Sequence, residues 1–456
     1  MSRTDRQFAA KLPAGVRAVL QTLTDAGFEA YLAGGSVRDL LLKRTPKDYD
    51  IVTSARPEQV EQLFPKTIAV GREFGILIVQ HGRQQYEVAT FRGERGFTDR
   101  RRPDEVYWTS AEEDALRRDF TINALFYDPI KKLIIDYTTG LLDLENQIVR
   151  FVGDPTARIT EDHLRILRAV RLKNALDFQY DPGTYRAIRQ HAGLVASVSG
   201  ERVRNELDRI WSDVRRSQGL RELADVGLLQ VVLPEVDQLR GLPQPKRYHR
   251  EGDTFDHTVR AVATLPADAP SFLTWAVLLH DVGKYQTLHY PDESGGRLRF
   301  DGHAQAGAGL VRQIGVRLHM SRTEMETIAW LVEHHMHLVG LDTMREAKRR
   351  EYLLDPRFRW LLELHHADAA GTVPRDLTLY AEVKSFYTHY LKRWHREQAG
   401  GTPRPLLTGH DLQIALKLAP GKRVGELLDE IRAAQLEGTV RTKTAALKLA
   451  KKLYSA

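Results

Sequence analysis

The rhythm of apolar and polar positions changes partway along the chain. Over the first 145 residues, short apolar runs alternate with brief helical patterns. FEAYLAGG predicts a strand entering a glycine turn, VRDLLLK a helix start and DYDIVT a second strand. PEQVEQLF carries the proline expected in the first turn of a helix, and GILIVQHG with YEVATFR predicts a pair of hairpin strands. From about Thr160 onward strand signals nearly vanish, and helical periodicity dominates to the C-terminus. The expected fold class is α+β, an α/β head with a mixed sheet followed by all-α parts. Breaks at TTGLLDLENQIVRFVGDP, LRGLPQPKRYHREGD and REQAGGTPRPLL suggest a head over 1–145, a helical neck over 146–215, a helical body over 216–400 and a tail over 401–456. RGFTDRRRPDE, Arg95 to Glu105, is the most loop-like segment.

Composition narrows the classes. A chain of 456 residues is too long for one core, in keeping with several domains. It contains no apolar run of the roughly 18 residues that a membrane span needs. The start, MSRTDRQFAAKL, lacks the apolar stretch of a secretory signal. With no cysteine there is no disulfide and no thiolate zinc site, so any metal must sit on His, Asp or Glu, and a reducing, cytoplasmic setting is expected. Lys+Arg 67 less Asp+Glu 60 gives +7, a balance suited to meeting a polyanion.

The densest chemistry lies in LAGGSVRDLLLKRTPKDYDIV. On an extended strand alternate side chains share a face, so Asp48 and Asp50 are expected side by side, where their charges repel unless a cation intervenes. Divalent metal answers that need: oxygen ligands suit Mg²⁺, and two ions about 4 Å apart can hold the attacking and leaving oxygens of a phosphoryl transfer. Gly34 and Gly35 let a triphosphate approach the backbone, and Arg38 adds charge at the next helix. Glu87 on YEVATF is either a third metal carboxylate or an ordinary solvated or ion-paired strand residue.

These residues open an ordered series that continues through EVATFRGERGFTDRRRPDEVYWTS, RRDFTINALFYDP, DYTTGLLDLENQIVRFVGDPTARITEDHLRILRAVRL and SGERVRNELDRI. The series resembles the class II tRNA nucleotidyltransferase and bacterial poly(A) polymerase family over roughly the first 210 residues. The resemblance implies a nucleotidyltransferase head in which Gly34, Gly35 and Arg38 contact the triphosphate and Asp48 and Asp50 hold metal. Arg117, Arg118 and Asp119 would handle the ribose and neighbouring phosphate, and Asn123 would line that pocket. The implied substrates are CTP, ATP and a tRNA 3′ end, with no obligate protein partner.

ITEDHLRILRAVRL reads as a helix opened by Thr160, with Glu161 and Asp162 in its first turn. Asp162 and Arg165, three apart, would then be neighbours on one face. An acceptor beside a donor matches the edge of cytosine or adenine, an amino donor next to a ring-nitrogen acceptor; uracil and guanine present the reverse. The pair therefore predicts acceptance of CTP and ATP without a nucleic-acid template, as in the family. An ordinary ion pair is the plain alternative. Arg171 falls on the opposite face and is expected in an RNA-backbone contact or a salt bridge, with Arg168 another RNA-contact candidate.

The histidines of the second half form a series in order: His257, the His280-Asp281 pair closing an apolar helix, then Asp368. This resembles the HD phosphohydrolase superfamily and implies a site for a divalent ion (Mg, Mn, Fe or Ni) on those four residues, with His303, His334 and His335 as second-metal candidates. An HD fold that has lost its metal is the alternative. The basic tail resembles that of HD-bearing members and is either a solvated helix face or a hold on the tRNA body.

Full CCA addition is the expected activity, with HD hydrolysis of RNA-end phosphates beside it. The rivals are poly(A) synthesis, CC-only or A-only addition, and a protein that is mainly an HD phosphohydrolase. AVGREFGIL has Glu73 and Gly75 where poly(A) polymerases of the best-known kind carry extra cations, which favours CCA addition.

Overall fold

The computed structural model describes residues 12–98, 103–245, 249–290, 298–398, 405–436 and 438–455. The N-terminal stretch 1–11, positions 99–102 of the expected loop, 246–248 of the second break and 399–404 of the last linker lie outside the described residues. The chain forms two compact units, Met1–Asp237 with Arg317–His319, and Gln238–Val316 with Met320–Ala456.

In the first unit the strands are β1 (Ala30–Ala33), β2 (Asp50–Thr53), β3 (Thr67–Gly71), β4 (Ile76–His81), β5 (Gln84–Thr90), β6 (Arg92–Arg95), β7 (Glu105–Trp108), β8 (Leu125–Asp128) and β9 (Leu133–Asp136). Seven of them make one sheet in the order β3-β4-β5-β2-β1-β8-β9. β2 and β5 run parallel while the other neighbours are antiparallel, which makes the sheet mixed, as the sequence pattern predicts. The all-buried β1 and β8 are interior strands beside the central β2 and the edge β9 respectively, and the half-polar β5 buries Tyr86 and Val88 while turning Glu87 to the other face. Tyr31, Phe91 and Phe126 stack their rings 5.8 to 6.4 Å apart over this sheet, with Val52 and Ala124 beside them.

The expected loop Arg95–Glu105 starts and ends on paired strands, β6 and β7, with Arg95 opposite Glu105. One detail differs from the sequence reading. The neck is not wholly helical: β10 (Ile148–Val149) and β11 (Gln179–Tyr180) form a short parallel ladder. Two-residue strands are too brief for alternation to show in sequence. Helices Pro155–Glu161, Arg165–Leu176, Pro182–His191, Gly200–Trp211 and Arg216–Asp225 follow within the same unit, which runs on to Asp237.

Among its described residues the second unit is helical apart from the isolated bridge His289↔Arg299. Helix Ser271–Leu279, SFLTWAVLL, is apolar all round and therefore central, and delivers His280 and Asp281 at its C-terminal end. Helices Gly409–Leu416, Lys422–Leu436 and Lys443–Ser455 close a small core of their own around Leu412, Leu427, Ile431 and Ala446. Among the described residues no helix is long and apolar enough to cross a membrane.

Phe126→Ala should cost about 3–5 kcal/mol, the usual price of emptying an aromatic site in a close-packed core. Urea unfolding followed by circular dichroism should show this as an earlier first transition.

Candidate active site

The glycine turn after β1 is shaped by contacts as well as by backbone angle. Gly34 has φ +69°, and a Cβ there would lie 3.0 Å from Arg118 Nη1 and 3.7 Å from Asp50 Oδ2. Glycine is needed on both counts. Helix Gly35–Leu41 follows, and from it Arg38 donates to Asn123 Oδ1 at 2.6 Å while pairing with Asp39 at 2.7 Å.

The carboxylates are arranged differently from the expectation that both aspartates lie on one strand. Asp50 opens β2, whereas Asp48 precedes the strand and is exposed, so alternation does not place it. The charges still act on one another. Burial raises the Asp50 pKa, Arg118 opposes that rise and Asp48 adds to it. The register Ile51↔Val88 sets Glu87 beside Asp50, and desolvation followed by the Asp50 charge raises Glu87 as well. Asp50 and Glu87 both resist ionisation, a strain that a cation would relieve, but Asp48, Asp50 and Glu87 are not among the described groups whose ligand atoms lie within 4.8 Å of one another.

A buried carboxylate organises the arginines. Asp114, 0% exposed, accepts from Arg117 through Oδ1 at 2.6 Å and from Arg118 through Oδ2 at 3.0 Å. Burial opposes its ionisation, but Arg118 and Arg117 outweigh burial and hold its pKa low. Arg117 also reaches Glu94 of β6 at 3.1 Å, and Arg118 Nη1 donates to the Asn123 carbonyl at 3.2 Å. Asp119 turns the other way: its Oδ2 accepts from Arg168 Nε at 2.8 Å and its Oδ1 from the Phe120 N–H at 2.9 Å. Burial would raise Asp119, yet Arg168 and then Arg165 bring its pKa to about 2. The sequence reading missed Asp114, although AEEDALRR spells its (i, i+3) and (i, i+4) spacing to the two arginines.

Thr160 does not open a helix. It lies inside helix Pro155–Glu161, which Asp154 caps by accepting from the Ala157 N–H at 2.8 Å. The chain breaks at Asp162, extended at φ −148° and ψ 106°, before helix Arg165–Leu176 begins. The aspartate at 154 and Pro155 together make the stronger N-terminal signal and override Thr160. Asp162 and Arg165 are thus not neighbours on one helical face, and their side chains do not pair with each other, although the Arg165 N–H donates to the Asp162 carbonyl at 3.0 Å. Asp162 takes both Nη atoms of Arg202, at 3.2 and 2.7 Å. Arg165 pairs with Glu161 and donates to the Arg158 carbonyl at 3.0 Å. Arg171 forms a salt bridge with Glu206 at 2.5 Å.

A cavity of about 510 Å³ brings most of these groups together: Gly34, Gly35, Asp50, Glu87, Arg117, Arg118, Asp119, Asn123, Asp162, Arg165 and Arg168 line it, with Arg92 and Glu94 that sequence reading missed. Its walls carry the cations and carboxylates that a nucleoside triphosphate and its counter-ions require.

The HD residues gather in the second unit. His257 Nε2 lies 3.0 Å from Asp368 Oδ1, and His280 Nε2 lies 3.2 Å from Asp281 Oδ2 and 3.8 Å from Asp368. His257, His280 and Asp368 form one group with ligand atoms within 4.8 Å; Asp281, His303 and His335 form another. The Nδ1 atoms of His280, His303 and His335 sit 2.7 to 2.8 Å from the main-chain carbonyls of Val277, Phe300 and Val332. A carbonyl only accepts, so Nδ1 carries a proton and each ring turns its Nε2 toward the cluster. His280 Nε2 is buried against Asp281 Oδ2, and His303 and His335 face each other Nε2 to Nε2 at 3.2 Å. Burial drives His335 down to about 3, which keeps it neutral. Inward Nε2 atoms grouped with carboxylates fit a divalent ion. His334 does not join: it stacks on Trp330 at 4.4 Å, its Nδ1 2.8 Å from the Trp330 carbonyl. Glu251, which lies 3.0 Å from His257 Nδ1 and orients that ring, was not anticipated.

Residues 30–150 match the Poly A polymerase head domain, 177–239 the probable RNA and SrmB- binding site of polymerase A, and 254–394 the HD domain. Among curated relatives, the CCA-adding enzyme of Lactobacillus helveticus is 46% identical over 47% of this chain and 54% of its own length. That of Pediococcus pentosaceus is 42% identical over 51% of this chain and 59% of its own. The chain thus spans little more than half the length of these two relatives. The solved CCA-adding enzyme of Bacillus stearothermophilus, in complex with CTP, shares the fold at TM-score 0.68 and 24% identity over 100% of this chain and 99% of that one. The Thermotoga maritima CCA-adding enzyme complexed with tRNA does so at TM-score 0.57 and 18% identity over 99% and 98%. The CCA-adding enzyme of Enterococcus faecalis is 32% identical over 93% of this chain and 92% of its own length, and with that breadth of likeness the chain belongs to the CCA-adding enzyme family.

Proposed function

We propose that this protein is a template-independent RNA nucleotidyltransferase that builds or repairs the 3′-terminal CCA of tRNA from CTP and ATP. The observation that carries the reading is the single cavity lined by the glycine turn, Asp50 and Glu87, the arginines of Asp114, and the Asp162–Arg165 stretch. A triphosphate enters against the Gly34–Gly35 backbone, with Arg38, Arg117 and Arg118 meeting its oxygens. Asp119 and Asn123, linked at 3.4 Å, face the ribose. Asp162 accepts from the exocyclic amino group of cytosine or adenine and Arg165 donates to the adjacent ring nitrogen, leaving uracil and guanine with unmatched polar groups. The RNA 3′-hydroxyl then forms the new bond to the α-phosphorus as the bond to pyrophosphate breaks. Mg²⁺ on Asp48 and Asp50, with Glu87, would supply charge neutralisation and activation of that hydroxyl. Arg168, 37% exposed, is the cation we assign to the RNA backbone. The working division is head, neck, HD body and tail, the neck extended to Asp237 where the first unit runs on. Absence of cysteine agrees with a cytoplasmic setting.

A second activity is favoured by the inward Nε2 atoms of the HD unit. His257, His280, Asp281 and Asp368, with His303 and His335, are assigned as ligands of a divalent ion that would activate water against a phosphate ester at an RNA end.

Incubated with Mg²⁺, CTP and ATP, the protein should extend tRNA transcripts ending before CCA, after C and after CC, stopping at CCA on all three at single-nucleotide resolution. Long A tracts would select poly(A) synthesis; products ending at CC, or extension only of the CC transcript, would select a partial enzyme. Asp50→Ala should lower addition by at least about a thousandfold while leaving the fold intact.

For the HD unit, Asp281→Ala should lower bound transition metal, read by plasma mass spectrometry of the purified protein, and leave CCA addition unchanged. Equal metal content in the two proteins would remove the assignment.

A further inference from the structure

Asp162 is held from outside the cavity it faces. Arg202, on helix Gly200–Trp211, stands forty residues along the chain and does not line the cavity. Its Nη1 donates to Asp162 Oδ1 at 3.2 Å and its Nη2 to Oδ2 at 2.7 Å, a two-pronged pairing. The Leu164 N–H adds a third bond to Oδ1 at 3.1 Å. Asp162 and Arg202 are 16% and 21% exposed, so the pair is partly shielded from water.

A carboxylate offers about four acceptor positions, two on each oxygen. Arg202 and Leu164 occupy both on Oδ1 and one on Oδ2, which leaves a single acceptor on Oδ2. A cytosine or adenine edge brings one amino donor to such a position. Without Arg202 the carboxylate is held by the Leu164 N–H alone, and at a helix break its rotation is not restrained by a continuous backbone ladder. A freely turning acceptor no longer distinguishes the amino edge from the carbonyl edge of uracil by fixed geometry.

We infer that Arg202 is a specificity-determining positioning residue: it fixes the orientation of Asp162 and leaves one acceptor site for the incoming base. The inference rests on the proposed reading of Asp162. Glu161, which holds Arg165 from the other side, makes the reading pocket a pair of side chains each braced by an opposite charge.

Single-turnover addition to a tRNA transcript lacking CCA, with CTP, ATP or UTP, is the test for wild type, Arg202→Ala, Arg202→Lys and Asp162→Ala. Arg202→Ala should raise KM for CTP and ATP about tenfold and increase UTP incorporation relative to CTP by about tenfold, in keeping with loss of a charged hydrogen-bonded pair. Arg202→Lys keeps the charge but not the two-pronged geometry, so its selectivity should fall between the two. In an Asp162→Ala background, Arg202→Ala should add no further loss of selectivity. A purely structural role would lower the unfolding midpoint and leave the UTP-to-CTP ratio alone. Selectivity within twofold of wild type in both Arg202 variants, with Asp162→Ala impaired, overturns the inference and leaves the proposed function standing. If wild type itself adds nothing from CTP, the proposed function falls first.

Discussion

The head depends on one buried carboxylate holding two adjacent guanidiniums. Arg117 and Arg118 repel each other, and Asp114 takes one on each oxygen; without it the polar partners left would be Glu94 and the Arg92 carbonyl for Arg117, and the Asn123 carbonyl for Arg118. Because Asp114 is wholly buried, the ion pairs contribute through fixed geometry more than through net energy: removal of one partner from such a pair costs about 3–5 kcal/mol by stranding the other. From this anchor the contacts spread outward. Arg118 reaches the Asn123 carbonyl, the Asn123 side chain meets Arg38 and Asp119, and Asp119 holds Arg168. The glycine turn fits beneath because a side chain at Gly34 would strike Arg118. One charge thus sets the positions of groups drawn from three separate stretches of sequence.

The HD unit uses the same device with neutral partners. Main-chain carbonyls fix three imidazoles by their Nδ1 atoms and so decide where their Nε2 atoms point. Glu251 does this for His257 with a charge instead. In both units the chemistry-bearing atoms are exposed to the site while their other ends are bonded to the scaffold, which is what preorganisation for a cation or phosphate requires.

Much of this was legible because the governing signals are local. The glycine turn, the β4–β5 hairpin and the His280–Asp281 pair at the end of an apolar helix each follow from a few consecutive residues. The failures share a cause. Thr160 was read as a cap because it precedes an apolar period, while the cap that operates is Asp154, followed by proline. His334 looked like His335 in VEHHMH, yet consecutive residues on a helical turn point about 100° apart, and only one can enter the cluster. Asp48 was set on a strand that begins two residues later. Arg202 carried no local mark at all, since its partner lies forty residues away and no spacing rule spans a fold.

The break at Asp162 explains why the stretch proposed to read the base is built from two helices rather than one. On a continuous helix Asp162 and Arg165 would be i, i+3 neighbours and would satisfy each other, closing the edge that a nucleotide must read. Turning the chain into an extended conformation at Asp162 separates them, and Arg202 and Glu161 supply the opposite charges from behind. The two side chains are thereby neutralised without being used up, and each retains hydrogen-bonding capacity toward the cavity. The proposed reading of a base without a nucleic-acid template would need that arrangement, because the pattern presented to the base has to be held in place before the base arrives.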